Sequence, residues 1–176
     1  MQRVIDYYFT QVSPWAYLGH QAFLKLADEY GYAVRFKPVN LGQVFAETGG
    51  LPLGKRHPAR QAYRLLDLQR WRGKRELPLN LHPKHFPTNA GLADRAVIVL
   101  AREGGPVSAF SDRVFRACWA EERDIAERDV LKAILEDLGV DGEQILNAAD
   151  EPEIAERYET HRQEAVEAGV FGSPSY

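Results

Sequence analysis

Two stretches alternate apolar and polar residues, and between them lies one stretch with helical spacing, all within the first forty residues. Residues 3 to 10 put Ile5, Tyr7 and Phe9 on one side at period two, which predicts a strand. From Trp15 to Tyr30 the apolar positions Trp15, Leu18, Ala22 and Leu26 follow a helical stripe, and Gly31 suits the position just past a helix end. The segment "YAVRFKPV" alternates again, with Val34 and Phe36 as the inward pair and Pro38 closing it. The pattern predicts a β-α-β unit with parallel strands and a right-handed crossover.

After Asn40 the spacing predicts helices almost throughout. "LGQVFAETGG" reads as a short helix before the loop "GGLPLGKRHP". "ARQAYRLLDLQRW" reads as a helix with Ala62, Leu65, Leu66 and Leu68 inward, and "AGLADRAVIVLARE" as one stopped by "GGP". "VSAFSDRVFRACWAEE" and "DVLKAILEDLG" follow, the latter with Asp129 as N-cap and Gly139 as its stop. "DGEQILNAA" and "EPEIAERYETHRQEAVEAG" complete the series, and only "SPSY" returns towards strand character. Two parallel strands are too few for a stable sheet, so the expectation is either a chain cut short as it returns to that sheet or a sheet completed some other way.

At 176 residues, 45% hydrophobic and 27% charged, the chain suits one globular domain with an inserted subdomain. No apolar run nears the roughly 20 residues of a membrane helix, and the N-terminus lacks the features of a secretory leader. Cys118 is the one cysteine, which excludes an internal disulfide and makes the cytoplasm the expected compartment. It falls between apolar helical positions and reads as core. Between Gly54 and Arg75 every Lys, Arg, Asp or Glu except Asp67 is basic, whereas Ala120 to Glu167 is strongly acidic. The basic block reads as a solvated helix face near an anionic small molecule; no nucleic-acid motif accompanies it. His57, His82 and His85 lack metal-ligand spacing, so no metal is expected.

The strand-to-helix join, "YYFTQVSPWAYLG", is where chemistry is expected. Ser13 fits the N-cap and Pro14 the first helical position, where its missing N–H costs nothing. Ordinary capping explains both residues. The same helix start, at the carboxyl end of a strand, is also where α/β folds bind ligands. A thiolate placed there gains from the helix dipole and from the Ser13 hydroxyl, which lowers a thiol pKa from about 8.5. The chain has no cysteine at this turn, so a thiol has to come with a small molecule. The missing cysteine pair also excludes disulfide exchange.

The motifs "DYYFTQVSPWAYLG", "FKPVNLGQVFAETGG", "AYRLLDLQRW" and "GVFGSP", in that order, resemble the 2-hydroxychromene-2-carboxylate isomerases. These are relatives of kappa-class glutathione transferases in the DsbA-like branch of the thioredoxin fold. The resemblance implies an α/β, thioredoxin-like architecture of the DsbA/kappa type. Residues 1–40 and 169–176 form its thioredoxin-like part, and residues 41–168 its large helical insertion. It implies glutathione as cofactor, Ser13 against its sulfur, a cis-proline at Pro174, and Ser173 pairing through its backbone with the tripeptide. The implied reaction is isomerisation: the thiolate adds to an unsaturated aromatic-breakdown intermediate, a single bond rotates, and the thiolate leaves. Lys55 and Arg56 are candidates to balance the substrate's carboxylate, Asn89 to contact the substrate or cap the next helix, and Trp15 to stack on the ring or simply pack. Homodimers are common among such proteins. Members continue past "GVFGxP" into two antiparallel strands, a glutathione contact and a helix, so those C-terminal parts are expected to be missing from this chain. Two alternatives remain at this point: a kappa-like transferase acting on another electrophile, and a non-catalytic module binding an anionic partner through segment 54–75.

Overall fold

The computed structural model describes residues 3–176. Strand β1 spans Arg3–Phe9, helix α1 Pro14–Glu29 and strand β2 Tyr32–Pro38. The two strands pair in parallel, with Tyr7 opposite Phe36 and Phe9 opposite Pro38. Gly31, at φ 70°, turns the chain out of α1 in the left-handed conformation that glycine adopts without a Cβ clash.

Side chains alternate across the sheet, so its two faces feed two cores. Tyr7 and Phe9 stack at 4.3 Å and are fully buried with His20 of α1 and Phe115, and the partly buried Phe36 packs against them. Tyr8 points the other way and joins Val39, Val44, Ala165 and Val170. Each buried aromatic or aliphatic side chain contributes about 1.5–3 kcal/mol. The inward face of α1 is carried by Ala16, Tyr17, His20 and Ala27 together with Leu18, and Leu26, expected inward, is 55% exposed. His20 takes the inward place because its two ring nitrogens lie 3.3 Å from the Tyr7 hydroxyl and 3.2 Å from the Ser108 carbonyl.

The remaining helices are α2 Leu41–Thr48, α3 Pro58–Arg75, α4 Gly91–Glu103, α5 Val107–Trp119, α6 Arg128–Asp137, α7 Gly142–Ala149 and α8 Pro152–Glu167, with one 3₁₀ turn at Leu53–Lys55. Helix α3 buries only Leu68; Ala62 and Leu66, expected inward, are exposed, because this helix is polar on nearly every side and meets the body along one narrow line. Helix α6 starts two residues earlier than its acidic residue suggests. Glu127 stands at the N-cap without a side-chain bond, and Asp129 lies in the first turn, where it still favours the positive pole.

After α8 the chain comes back to β1. Ser175 and Tyr8 exchange both backbone hydrogen bonds at 2.9 Å as a single antiparallel bridge, and the Tyr176 ring packs on Phe23 at 4.1 Å. The peptide bonds Phe86–Pro87 and Ser173–Pro174 are cis. No described helix is long and apolar enough to cross a membrane.

Candidate active site

Ser13 caps α1: its Oγ accepts the Ala16 N–H at 3.2 Å and its carbonyl accepts the Tyr17 N–H at 3.1 Å. Pro14 has no N–H. Among the described residues this leaves the Trp15 N–H as the donor of the first turn without a protein acceptor. No acidic residue stands in that turn to oppose the positive pole. The Ser13 hydroxyl donates its hydrogen to the Ser173 carbonyl at 3.0 Å, and the Ser173 Oγ accepts the Thr10 N–H at 3.2 Å. The cis-proline segment is thus latched onto the Thr10–Ser13 turn at two points.

The turn is held from behind by Asp94 of α4. Its carboxylate accepts from the Gln11 N–H at 2.8 Å, the Thr10 hydroxyl at 2.9 Å and the Tyr158 hydroxyl of α8 at 2.8 Å. Burial pushes the Asp94 pKa up to about 7, although these three donors and the charge of Arg95 pull the other way. Desolvation wins because the side chain is 1% exposed.

Both Ser13 and Ser173 open onto a cavity of about 610 Å³, in the range of small-molecule sites. Trp15, Phe45, Phe86 and Phe171 supply its aromatic lining, Thr10, Asp94 and Tyr158 its other polar groups, and Arg56, Arg60 and Arg64 its positive charge. Of the residues expected from sequence, Ser13, Ser173, Trp15, Arg56 and Asn89 line the cavity. Asn89 also bonds locally, its Oδ1 accepting the Gly91 N–H at 2.9 Å. Pro174 carries the cis bond but is not among the lining residues, and Lys55 is exposed and outside the lining. Lys55 closes the 3₁₀ turn, and it is the next residue, Arg56, that faces the cavity, tied by its Nε to the Leu51 carbonyl at 2.8 Å.

Sequence reasoning missed Arg60, Arg64 and Asp94. The spacing of Arg60 and Arg64 by one helical turn, four residues after Arg56, was the available signal. Asp94 gave none, since an acidic residue in a helix's first turn is ordinary. Cys118 is buried in the core, and desolvation pushes its thiol pKa up to about 12, so it is no nucleophile. No described His, Cys, Asp or Glu cluster has the arrangement of a metal site.

The DSBA-like thioredoxin domain profile matches residues 4–176. A 2-hydroxychromene-2-carboxylate isomerase from Sphingobium xenophagum is 26% identical over 99% of this chain and 88% of its own length. Glutathione S-transferase kappa 1 from Caenorhabditis elegans is 25% identical over 97% of this chain and 78% of its own. The solved structure of a 2-hydroxychromene-2-carboxylate isomerase superposes with a TM-score of 0.78 at 28% identity, covering 97% of this chain and 83% of that one. With the profile running from β1 to the last residue, the chain belongs to the DSBA-like thioredoxin domain family.

Proposed function

We propose that the protein is a glutathione-dependent isomerase acting on an unsaturated aromatic carboxylate, of the 2-hydroxychromene-2-carboxylate type. The observation that carries this reading is the place of the Ser13 hydroxyl: at the positive end of α1, on the wall of the cavity, and bonded to the residue before a cis-proline. Similarity along the whole chain to proteins named as such isomerases supports the reaction class.

The Ser13 hydroxyl has one hydrogen. Giving it to a glutathione sulfur releases the Ser173 carbonyl, which then accepts an N–H of the tripeptide in exchange. The sulfur gains the hydroxyl, the Trp15 N–H and the helix pole, all of which favour the thiolate over the thiol. The thiolate adds to an electrophilic carbon of the substrate, a carbon–carbon bond loses its double-bond character and rotates, and elimination returns the thiolate. Bonds made to sulfur equal bonds broken, so no oxidant or reductant enters. Trp15 and Phe86 offer flat faces to the ring, and the cavity arginines offer charge to the carboxylate.

The likeness to a kappa glutathione transferase favours a second reading, in which the thiolate stays on an electrophile. Incubation with 2-hydroxychromene-2-carboxylate and glutathione decides between them. An isomerase converts the substrate with glutathione recovered in full, a transferase consumes one glutathione per product, and no glutathione-dependent conversion overturns both.

A further inference from the structure

The helical segment pairs most of its arginines. Arg95 meets Asp150 at 2.8 Å, Arg128 meets Asp150 at 3.0 Å and Glu143 at 3.3 Å, and Arg162 meets Glu159 and Glu47. The arginines from Arg56 to Arg75 differ, those of the cavity among them. Among the described residues no carboxylate lies within 4.0 Å of Arg56, Arg60 or Arg64. Arg60 and Arg64 stand one turn apart on α3, roughly 6 Å along the axis. Arg56 spends its Nε on Leu51, and its guanidinium lies 5.8 Å from the Phe45 ring.

Arg64 is the most unusual of the three. It is half-buried and makes no hydrogen bond to any described residue, yet its guanidinium carbon lies 5.6 Å from the Phe86 ring centre and 5.9 Å from that of Trp119. Burial, and then the like charge of Arg56, lower its pKa. A partly desolvated cation without a counter-charge, its fork still open to the cavity, is well placed to gain from an arriving anion. Aromatic neighbours leave the planar fork of N–H donors for a group that arrives in the plane, which is how carboxylates bind. Trp15 and Tyr63 border the same arginines in a second, smaller depression, which Asp67 also lines.

We infer that Arg64 is the specificity-determining residue of this cavity, taking the carboxylate of a planar aromatic electrophile whose ring lies against Phe86. The inference rests on the glutathione reading above, because glutathione also carries carboxylates and is the competing source of the anion. The electrophile is favoured because the aromatic surroundings of Arg64 match a ring, which the tripeptide lacks. Segment Thr10–Ser13 with Ser173, where the tripeptide pairs, belongs to other elements than α3.

The test is calorimetry on the full chain with three probes: cinnamate, cinnamamide and glutathione. Arg64→Met keeps the apolar stem and removes the fork. It is expected to weaken cinnamate roughly tenfold or more while leaving cinnamamide and glutathione within about twofold. Arg64→Lys keeps the charge and is expected to recover part of the cinnamate affinity, which holds the test open if the methionine variant folds poorly. Equal weakening of cinnamate and cinnamamide means a packing role, and a loss falling on glutathione means that the tripeptide owns the arginine. Either result, or no change at all, overturns the inference. Failure of glutathione to bind the wild type sinks the isomerase reading instead, and the preference for cinnamate over cinnamamide remains readable beside it.

Discussion

Ser13 and Ser173, 160 residues apart in sequence, share one hydrogen bond of 3.0 Å from the Ser13 hydroxyl to the Ser173 carbonyl. This bond joins the start of the first helix to the cis-proline segment, and in the proposed reaction it is the bond that an incoming glutathione sulfur exchanges. Ser13 also holds the Ala16 N–H, so its loss has a structural cost apart from any catalytic one. Ser13→Ala is expected to lower stability by about 1 kcal/mol in urea denaturation, as loss of an N-cap does. Ser13→Asn keeps a capping acceptor and is expected to recover most of that stability. In that variant activity with glutathione stays low, since the amide cannot replace the hydroxyl's position.

Asp94 and His161 act oppositely on stability through the same pH range. Burial raises the Asp94 pKa from 3.8 to about 7, so the folded state binds the extra proton and this contribution declines as pH rises between those values. Burial first, and Arg157 next, lower the His161 pKa from 6.5 to about 4, so its contribution grows as pH rises from 4 to 6.5. Each is worth about 3–4 kcal/mol over its full range, and in the wild type they largely cancel. Asp94→Asn is expected to give stability that climbs with pH between 4 and 6.5, and His161→Gln stability that falls between 4 and 7. Denaturant midpoints measured at intervals across that range check both slopes.

The β-α-β start was legible because two different periods, two residues and 3.6, each survive in a run of seven or more positions. Ser13 and Pro14 announce the helix start by local chemistry alone. The surroundings of Arg64, beyond its helical spacing from Arg56, and the place of Asp94 were not legible, since what distinguishes them is what lies across the cavity or behind the turn. Arg64 looks like one more charge on a basic helix until Phe86 and Trp119 close around it. Leu66 and Leu26 misled for the reverse reason: helical spacing shows that a face is apolar, but not that another element covers it.

Lys37 lies 7% exposed between Asp6 at 2.9 Å and Glu164 at 2.7 Å, with the Tyr8 hydroxyl at 3.2 Å. It ties β1 and β2 to α8, and removing it leaves two carboxylates facing a shared site. Lys37→Met is expected to cost about 2–3 kcal/mol in urea denaturation, below the usual figure for a fully buried pair because both carboxylates are partly solvated. Adding Asp6→Asn to that variant is expected to recover part of the loss.

Cys118 should be silent in the native protein. Its thiol is buried and held up near pKa 12 by desolvation and by Asp124 and Glu122. An aromatic disulfide reagent at pH 8 is expected to label no thiol until denaturant is added, and then one per chain. Rapid labelling under native conditions would contradict the packing described for α5.

The most direct measurement is the ultraviolet absorbance of thiolate in the glutathione complex, followed from pH 5 to 10 in the wild type and in Ser13→Ala. The expected titration of the wild-type complex lies clearly below that of free glutathione, and the alanine variant moves it up by roughly one to two pH units, the worth of a hydrogen bond to a charged group. Coincident curves for wild type and variant would contradict the assignment of Ser13 as the group that stabilises the thiolate.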